Sequence, residues 1–467
     1  MLILRNNYSM VKIIRSTGLV GAYTVALFLL VCLLIGQVKY AMPHTPMVLV
    51  FATIVAGALL YIRKYHLSAI SDKTFWISVA FLLFSAYCVE AYIVVNHPFE
   101  WATDPRLCKE QAEYMLTTWG MSPKLNGYFA MYPHNINILI VVGALYRLFG
   151  DYTYVVYFFL LLVNLSSLFA CLTIKNITKN NFVSIVSLLL LQVFCIFTTR
   201  TYMPYTSNLA LLFPILMVYV YTTKLSTTKK AILIPLIAAI GYQAKLTALI
   251  AFIAIAGIEA VRYVINRKLY TNKDVGIAIA STIVSFALCA GLKTICWNEF
   301  GYLEDDNRVK GFTYFVYLGQ NTQSGGQWDA EYVKNSEYIA PKAERDAYYA
   351  SVIKRDITER GLLGNIKFYV AKTAICWGCT YQDYVKFDNI DKKWVFTFRH
   401  CIWFFIFACA MLSVFICRNR YNLAMILTLT GVMIYLFLSE GSFTYVIMFS
   451  PIVFAMAGIT MSKLCRR

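Results

Sequence analysis

Long apolar runs separated by short polar, basic connectors dominate the chain. Twelve of them approach the roughly 20 residues that a helix rising 1.5 Å per residue needs to cross a hydrocarbon layer about 30 Å thick. They lie at 18–38, 47–62, 74–95, 152–174, 182–199, 207–222, 230–244, 246–265, 275–297, 396–416, 421–438 and 443–462. Gly241, Gln243 and Lys245 interrupt the seventh and eighth, which predicts a broken or hairpin-like element there. Segment 135–149 is apolar but only 15 residues long, and is expected as an interfacial or re-entrant helix. Two stretches, 96–134 and 298–395, are too polar to cross.

Composition agrees with this pattern. Of 467 residues, 59% are hydrophobic and 14% charged, against about 25% charged in soluble domains. The expected fold is an all-α polytopic membrane protein, with residues 1–467 forming a single membrane domain. A soluble enzyme, a disordered chain and a disulfide miniprotein are excluded.

Charge sets the expected orientation. The net +18 comes from 42 Lys and Arg against 24 Asp and Glu, and twenty of the cations cluster in alternate connectors. Arg5, Lys12 and Arg15 precede the first run. Arg63, Lys64, Lys73, Lys175, Lys179, Lys224, Lys229, Lys230, Arg262, Arg267, Lys268, Lys273, Arg418, Arg420, Lys463, Arg466 and Arg467 fill later connectors. They fall on one side if 135–149 does not cross, which predicts both termini cytoplasmic in the plasma membrane and 96–134 and 298–395 outside. The first run reads as a retained helix, since no clear cleavage site follows it. The cations are too dispersed for a nucleic-acid groove, so the bilayer is the expected partner.

Candidate chemistry concentrates in 96–134. Asp104, followed by Pro105, stands where a short amphipathic helix should begin, which suits a helix cap. At a membrane–water boundary, near Tyr132, His134 and Asn135, the same carboxylate suits a general base acting on an acceptor hydroxyl or amine. The amides at the start of 135–149 favour anions. Cysteines lie mostly in apolar runs as small hydrophobes, and Cys376-Trp-Gly-Cys379 is a lone CxxC without a second ligand pair. Glu90 and Lys245 lie in or between apolar runs, where ionisable groups are costly. Lys293 is expected to snorkel, Asp305-Asp306 to be a solvated loop, and Gly325-Gly326 to make a tight bend beside Trp328 and Asp329.

Asp104, Ala112, Tyr128-Phe129, Tyr132-Pro133-His134-Asn135 and Leu148-Phe149-Gly150-Asp151 resemble the first outer loop of the GT-C membrane glycosyltransferases. The resemblance is closest to the bacterial branch related to protein O-mannosyltransferases and the lipid A aminoarabinose transferase. Gly319-Gln-Asn321, Gly325-Gly326-Gln-Trp-Asp329, Glu344-Arg345, Ile353-Lys354-Arg355, Gly361-Leu-Leu-Gly364 and Lys372-Thr373 continue it in order.

The resemblance implies a GT-C fold and transfer of a sugar from a polyprenyl-phosphate carrier to a glycan, lipid or protein acceptor on the outer face. Asp104 would be the catalytic carboxylate. Arg200, Lys245, Lys372 and the Arg399–His400 pair are candidates to hold the lipid phosphate, and Glu440 and Tyr445 to orient the donor. Two positions depart from the pattern. Relatives commonly carry Tyr-Thr-Asp where this chain has Tyr205-Thr206-Ser207, and an Arg where it has Thr444 before Tyr445. A divalent metal therefore stays open as a cofactor, with no ligand assigned. The other readings are a polysaccharide-unit flippase and an O-antigen-type ligase or polymerase.

Overall fold

The computed structural model describes residues 2–40, 45–64, 70–96, 100–101, 103–266, 271–302, 307–334, 341–378, 385–386 and 392–465. It is all-helical apart from one two-residue strand pairing. The chain begins with α1 (Leu2–Tyr40), α2 (Thr45–Lys64) and α3 (Asp72–Asn96). Short elements α4 (Thr103–Thr117), α5 (Asn126–Met131) and α6 (Ile136–Phe149) follow. Then come α7 (Tyr152–Thr178), α8 (Asn181–Ile196), α9 (Thr206–Thr222), α10 (Thr227–Ala244), α11 (Leu249–Ile265) and α12 (Asn272–Glu299). The segment read as a long loop holds α13 (Phe312–Gly319), α14 (Ala330–Lys334) and α15 (Lys342–Trp377), the last kinked at Gly361. The chain ends with α16 (Lys392–Ile416), α17 (Arg420–Leu438), α18 (Phe443–Ile447) and α19 (Ser450–Cys465).

Seven helical stretches among the described residues are long and apolar enough to cross a membrane: Gly18–Gln37, Asp72–Asn96, Tyr152–Thr178, Leu246–Ile265, Asn272–Glu299, Thr397–Ile416 and Arg420–Leu438. Four shorter apolar helices accompany them: Pro46–Ala58, Asn181–Ile196, Thr206–Thr222 and Ser450–Cys465. This corrects the twelve expected runs in two places. The seventh is helix α10, but Lys229 and Lys230 sit in its first turn and Pro235 in its interior. The twelfth is not one rod. It breaks at Met448–Phe449, and α19 restarts with Pro451 in its first turn, where a missing N–H costs no hydrogen bond.

Side chains at the connectors start the helices. Asp151 accepts from the Thr153 amide at 2.7 Å ahead of α7, and Asn180 from that of Val183 at 3.1 Å ahead of α8. Thr271 and Asp274 form a reciprocal capping box on α12.

The main core joins α1, α7–α11 and α16–α19. Almost every described side chain of α19 is buried, so this helix is the axis on which α7, α8 and α16 pack. On α12 the opposite holds. Ile279, Ile283, Leu288, Leu292 and Ile295 all face outward, an apolar stripe suited to lipid. A second core, under α4, α5 and α6, gathers Cys108, Phe129, Ile136, Phe159 and Tyr202 and carries the functional candidates. A third, built on Tyr314, Tyr317 and Tyr349, covers it from α13 and α15. Strand Glu100–Trp101 pairs antiparallel with Val385–Lys386, which ties the segment ahead of α4 to the one ahead of α16.

Candidate functional site

Asp104 lies in the first turn of α4, one residue inside the helix rather than at its cap. The Tyr205 hydroxyl, at the start of α9, donates to Asp104 Oδ2 at 2.9 Å. The Tyr128 hydroxyl of α5 also bonds Asp104, and accepts from Asn135 Nδ2 at 3.2 Å. The chain of donors therefore runs Asn135 to Tyr128 to Asp104, with Tyr205 converging from the other side. Burial, and then the Asp104 charge, push both tyrosine hydroxyls upward, so they remain donors at neutral pH.

Lys245 approaches from the break after α10. The helix stops at Ala244, and the Lys245 backbone is extended (φ −165°, ψ 131°), which carries its side chain away from the helix surface. Its Nζ donates to Ser207 Oγ at 2.9 Å and stands 4.4 Å from the centre of the Tyr445 ring. Burial pushes the Tyr445 hydroxyl well up, and the nearby Glu440 and Asp104 carboxylates add to this.

A brace holds the break in place. Asn137, at the start of α6, donates to the Gln243 carbonyl at 2.8 Å and accepts from Trp297 Nε1 of α12 at 2.9 Å. One amide thus joins three helices two residues before Lys245.

His134 closes this group. Its ring retains accessible surface, yet burial, followed by the Lys245 charge, lowers its pKa to about 4. Around its accessible ring the side chains of Tyr132 and Phe315 form an aromatic-walled recess. The edges of that recess are aromatic, with His134 at 6.0 Å from Tyr132 and 6.2 Å from Phe315 between ring centres. Tyr132 and Tyr314 share a 3.2 Å hydroxyl contact, which links the recess to α13.

The model of a family described as conserved hypothetical integral membrane protein matches residues 42–376, well over half the chain. The chain belongs to that family. No curated protein matches it in sequence. The matched span covers Asp104, Tyr128, His134, Tyr205 and Lys245, and it stops before Glu440 and Tyr445.

Not every residue singled out in this integral membrane protein joins the recess. Lys372 is buried on α15, and its Nζ donates to the carbonyls of Ser439 at 2.6 Å, Gly319 at 2.7 Å and Phe437 at 3.4 Å. It therefore latches the ends of α13 and α17. Backbone surrounds its stem: a Cβ on Gly326 would come within 2.7 Å of Lys372 Cε, and one on Gly441 within 2.9 Å. Gly325 and Gly326 make the tight bend at φ 65° and 79°. Glu440, beside this latch, acts electrostatically on Lys372, Tyr132, Tyr314 and Tyr445, and so faces the recess from the turn between α17 and α18.

Arg399 and His400 are buried in α16, with His400 Nε2 against Gln37 Oε1 of α1 at 2.5 Å. Lys293 lies 3.8 Å over the Trp297 ring. Cys376 is a buried free thiol. The Arg200 side chain, Cys379 and the Asp305-Asp306 pair lie outside the described residues. Among the described residues no three His, Cys, Asp or Glu side chains come together as metal ligands would. Tyr205, Ser207 and the Asn137–Gln243–Trp297 brace are the parts whose roles the sequence hides, because each depends on contacts between distant segments.

Proposed function

We propose that the protein is a membrane glycosyltransferase of the GT-C type, taking a sugar from a polyprenyl-phosphate carrier. The observation that carries this reading is that Tyr205, which donates to the carboxylate of Asp104, and Ser207, which accepts from Lys245, stand together at the start of α9, with Tyr445 against Lys245. Tyr205 holds Oδ2 and so fixes the rotation of the carboxylate. The acceptor hydroxyl gives its proton to Asp104 as its oxygen bonds the anomeric carbon. The bond from that carbon to the phosphate oxygen breaks, and the electron pair leaves with the polyprenyl phosphate. Lys245 offsets the charge that gathers there. In-line attack inverts the anomeric carbon. Neutral at pH 7, His134 accepts or donates a hydrogen bond to a sugar hydroxyl without competing for the phosphate.

Aromatic side chains around the recess suit the apolar faces of a pyranose, and the apolar surface of the surrounding helices suits the polyprenyl tail. The active face is the outer one, with both termini in the cytoplasm, and the acceptor is a glycan, lipid or protein. Incubating the purified protein in vesicles with a series of labelled polyprenyl-phosphate sugars and membrane acceptors tests the reading. Label is expected to move from the carrier to an acceptor. Transfer from nucleotide sugars alone overturns the donor, and movement of intact carrier across the bilayer without transfer overturns the reaction in favour of a flippase.

A further inference from the structure

Away from the recess, α3, α7 and α8 enclose a polar chain in otherwise apolar packing. Glu90 is fully buried on α3, Asn164 on α7 is 5% exposed and Gln192 on α8 is 2% exposed. Gln192 Nε2 donates to Asn164 Oδ1 at 3.0 Å, and Asn164 Nδ2 donates to Glu90 Oε2 at 2.7 Å and to the Leu160 carbonyl at 3.0 Å.

The direction of this chain is fixed by its anchor. The Leu160 carbonyl only accepts, so the Asn164 amide nitrogen must face it, and Asn164 Oδ1 must face Gln192. Gln192 then has to present its nitrogen to Asn164, which turns its own oxygen away. Two buried oxygens are left over, Glu90 Oε1 and Gln192 Oε1, and neither meets a donor. Both call for positive charge or a proton, and so does the carboxylate itself. Among the described residues the titratable groups facing Glu90 are Tyr87 on its own helix, Cys195 on α8 and Tyr202 just beyond it. All three are neutral near pH 7. Ser167 of α7 lies against Cys195 and adds a further hydroxyl on the same side.

We propose that Glu90, with Asn164 and Gln192, forms a binding site for one small monovalent cation, a proton or Na⁺, between α3, α7 and α8. The donor set is all oxygen and carries a single negative charge, which matches a monovalent ion and not a divalent one. Bonds to a Na⁺ at this place would run from Glu90 Oε1 and Gln192 Oε1. A proton would sit on Glu90 Oε1. Binding either neutralises a carboxylate that the apolar surroundings otherwise penalise.

Thermal unfolding of the purified full-length protein tests the site. Na⁺ is varied against choline at constant ionic strength, and pH is varied separately. A ligand that binds only the folded state raises the melting temperature, by about 3 °C for a site well above saturation in a chain of this size. The wild type is expected to gain this shift with Na⁺ if the ion is sodium, or on lowering pH without a Na⁺ effect if it is a proton. Glu90→Gln is expected to lose it. Identical Na⁺ and pH dependence in wild type and Glu90→Gln overturns the site. Should Glu90→Gln not fold, Gln192→Met serves, because it keeps Glu90 and removes one leftover oxygen. The Na⁺ midpoint is expected to rise at least about tenfold in Gln192→Met where the ion is sodium. Where it is a proton, Asn164→Leu removes the donor to Glu90 Oε2 and is expected to raise the proton midpoint by about one pH unit. An unchanged midpoint overturns the proposal.

Discussion

The Tyr205 hydroxyl donates to Asp104 Oδ2 over 2.9 Å, joining residues 101 positions apart. That contact converts a carboxylate on the first turn of a short helix into one with a fixed orientation. It also places the start of α9, with Ser207 and the lysine that bonds it, on the same side of the recess as the proposed base.

Tyr205→Phe removes the bond and keeps the ring. A hydrogen bond to a charged group is worth about 1.5–3 kcal/mol, so turnover is expected to fall about ten- to a hundredfold. The Michaelis constant should change less than turnover. Steady-state transfer assays on the purified variant check this, and an unchanged turnover removes Tyr205 from the positioning of Asp104.

Lys372→Met leaves the Gly319 and Ser439 carbonyls without their donor in a buried place. Each orphaned group costs about 1–3 kcal/mol, so the melting temperature is expected to drop by several degrees. Gly441→Ala is expected to act on the same latch through the clash with Lys372 Cε and Cys376 Sγ. Unfolding scans of both variants decide the matter. An unaltered melting temperature with weaker donor binding in Lys372→Met returns this lysine to the phosphate.

These two cases show what the sequence makes legible. Hydropathy located nearly every apolar helix, because crossing a bilayer leaves a run of fixed length whatever its neighbours do. The twelfth run defeated it, since a two-residue turn between apolar helices hardly alters the average. Asp104, His134 and Lys245 stood out because a carboxylate, an imidazole and an ammonium are rare at such positions. Lys372 looked equivalent to Lys245 by that reasoning. What separates them is the set of carbonyls around Lys372, which comes from α13 and the end of α17, and no local pattern records it. The tyrosine partners of Asp104 were hidden for a similar reason: with 34 tyrosines in the chain, none is singled out by type alone.

His134 supplies a pH signature. Its pKa is held near 4 in the folded protein, below the ordinary 6.5, so the unfolded chain binds more protons between those values. Stability is therefore expected to be fully present above about pH 6.5 and to fall as pH drops toward 4. Comparing the pH dependence of unfolding in wild type and His134→Asn isolates this contribution. Identical profiles over pH 4–6.5 contradict it.

Asn137→Ala cuts the brace to Gln243 and Trp297 and leaves the charged groups in place. Loosening the backbone just ahead of Lys245 is expected to raise the Michaelis constant for the phosphate-linked donor about tenfold, with a smaller effect on turnover. Donor titration at saturating acceptor measures it. A change confined to turnover contradicts the assignment of Lys245 to the phosphate.

The central claim is that Asp104 takes the acceptor's proton, and Asp104→Asn tests it most directly, because the amide keeps the shape and cannot act as the base. The assay is transfer of labelled sugar from polyprenyl phosphate by the purified variant, alongside its melting temperature. Transfer is expected to fall by about 10²–10⁴-fold with the fold retained. Wild-type transfer by a stably folded Asp104→Asn protein would contradict the account.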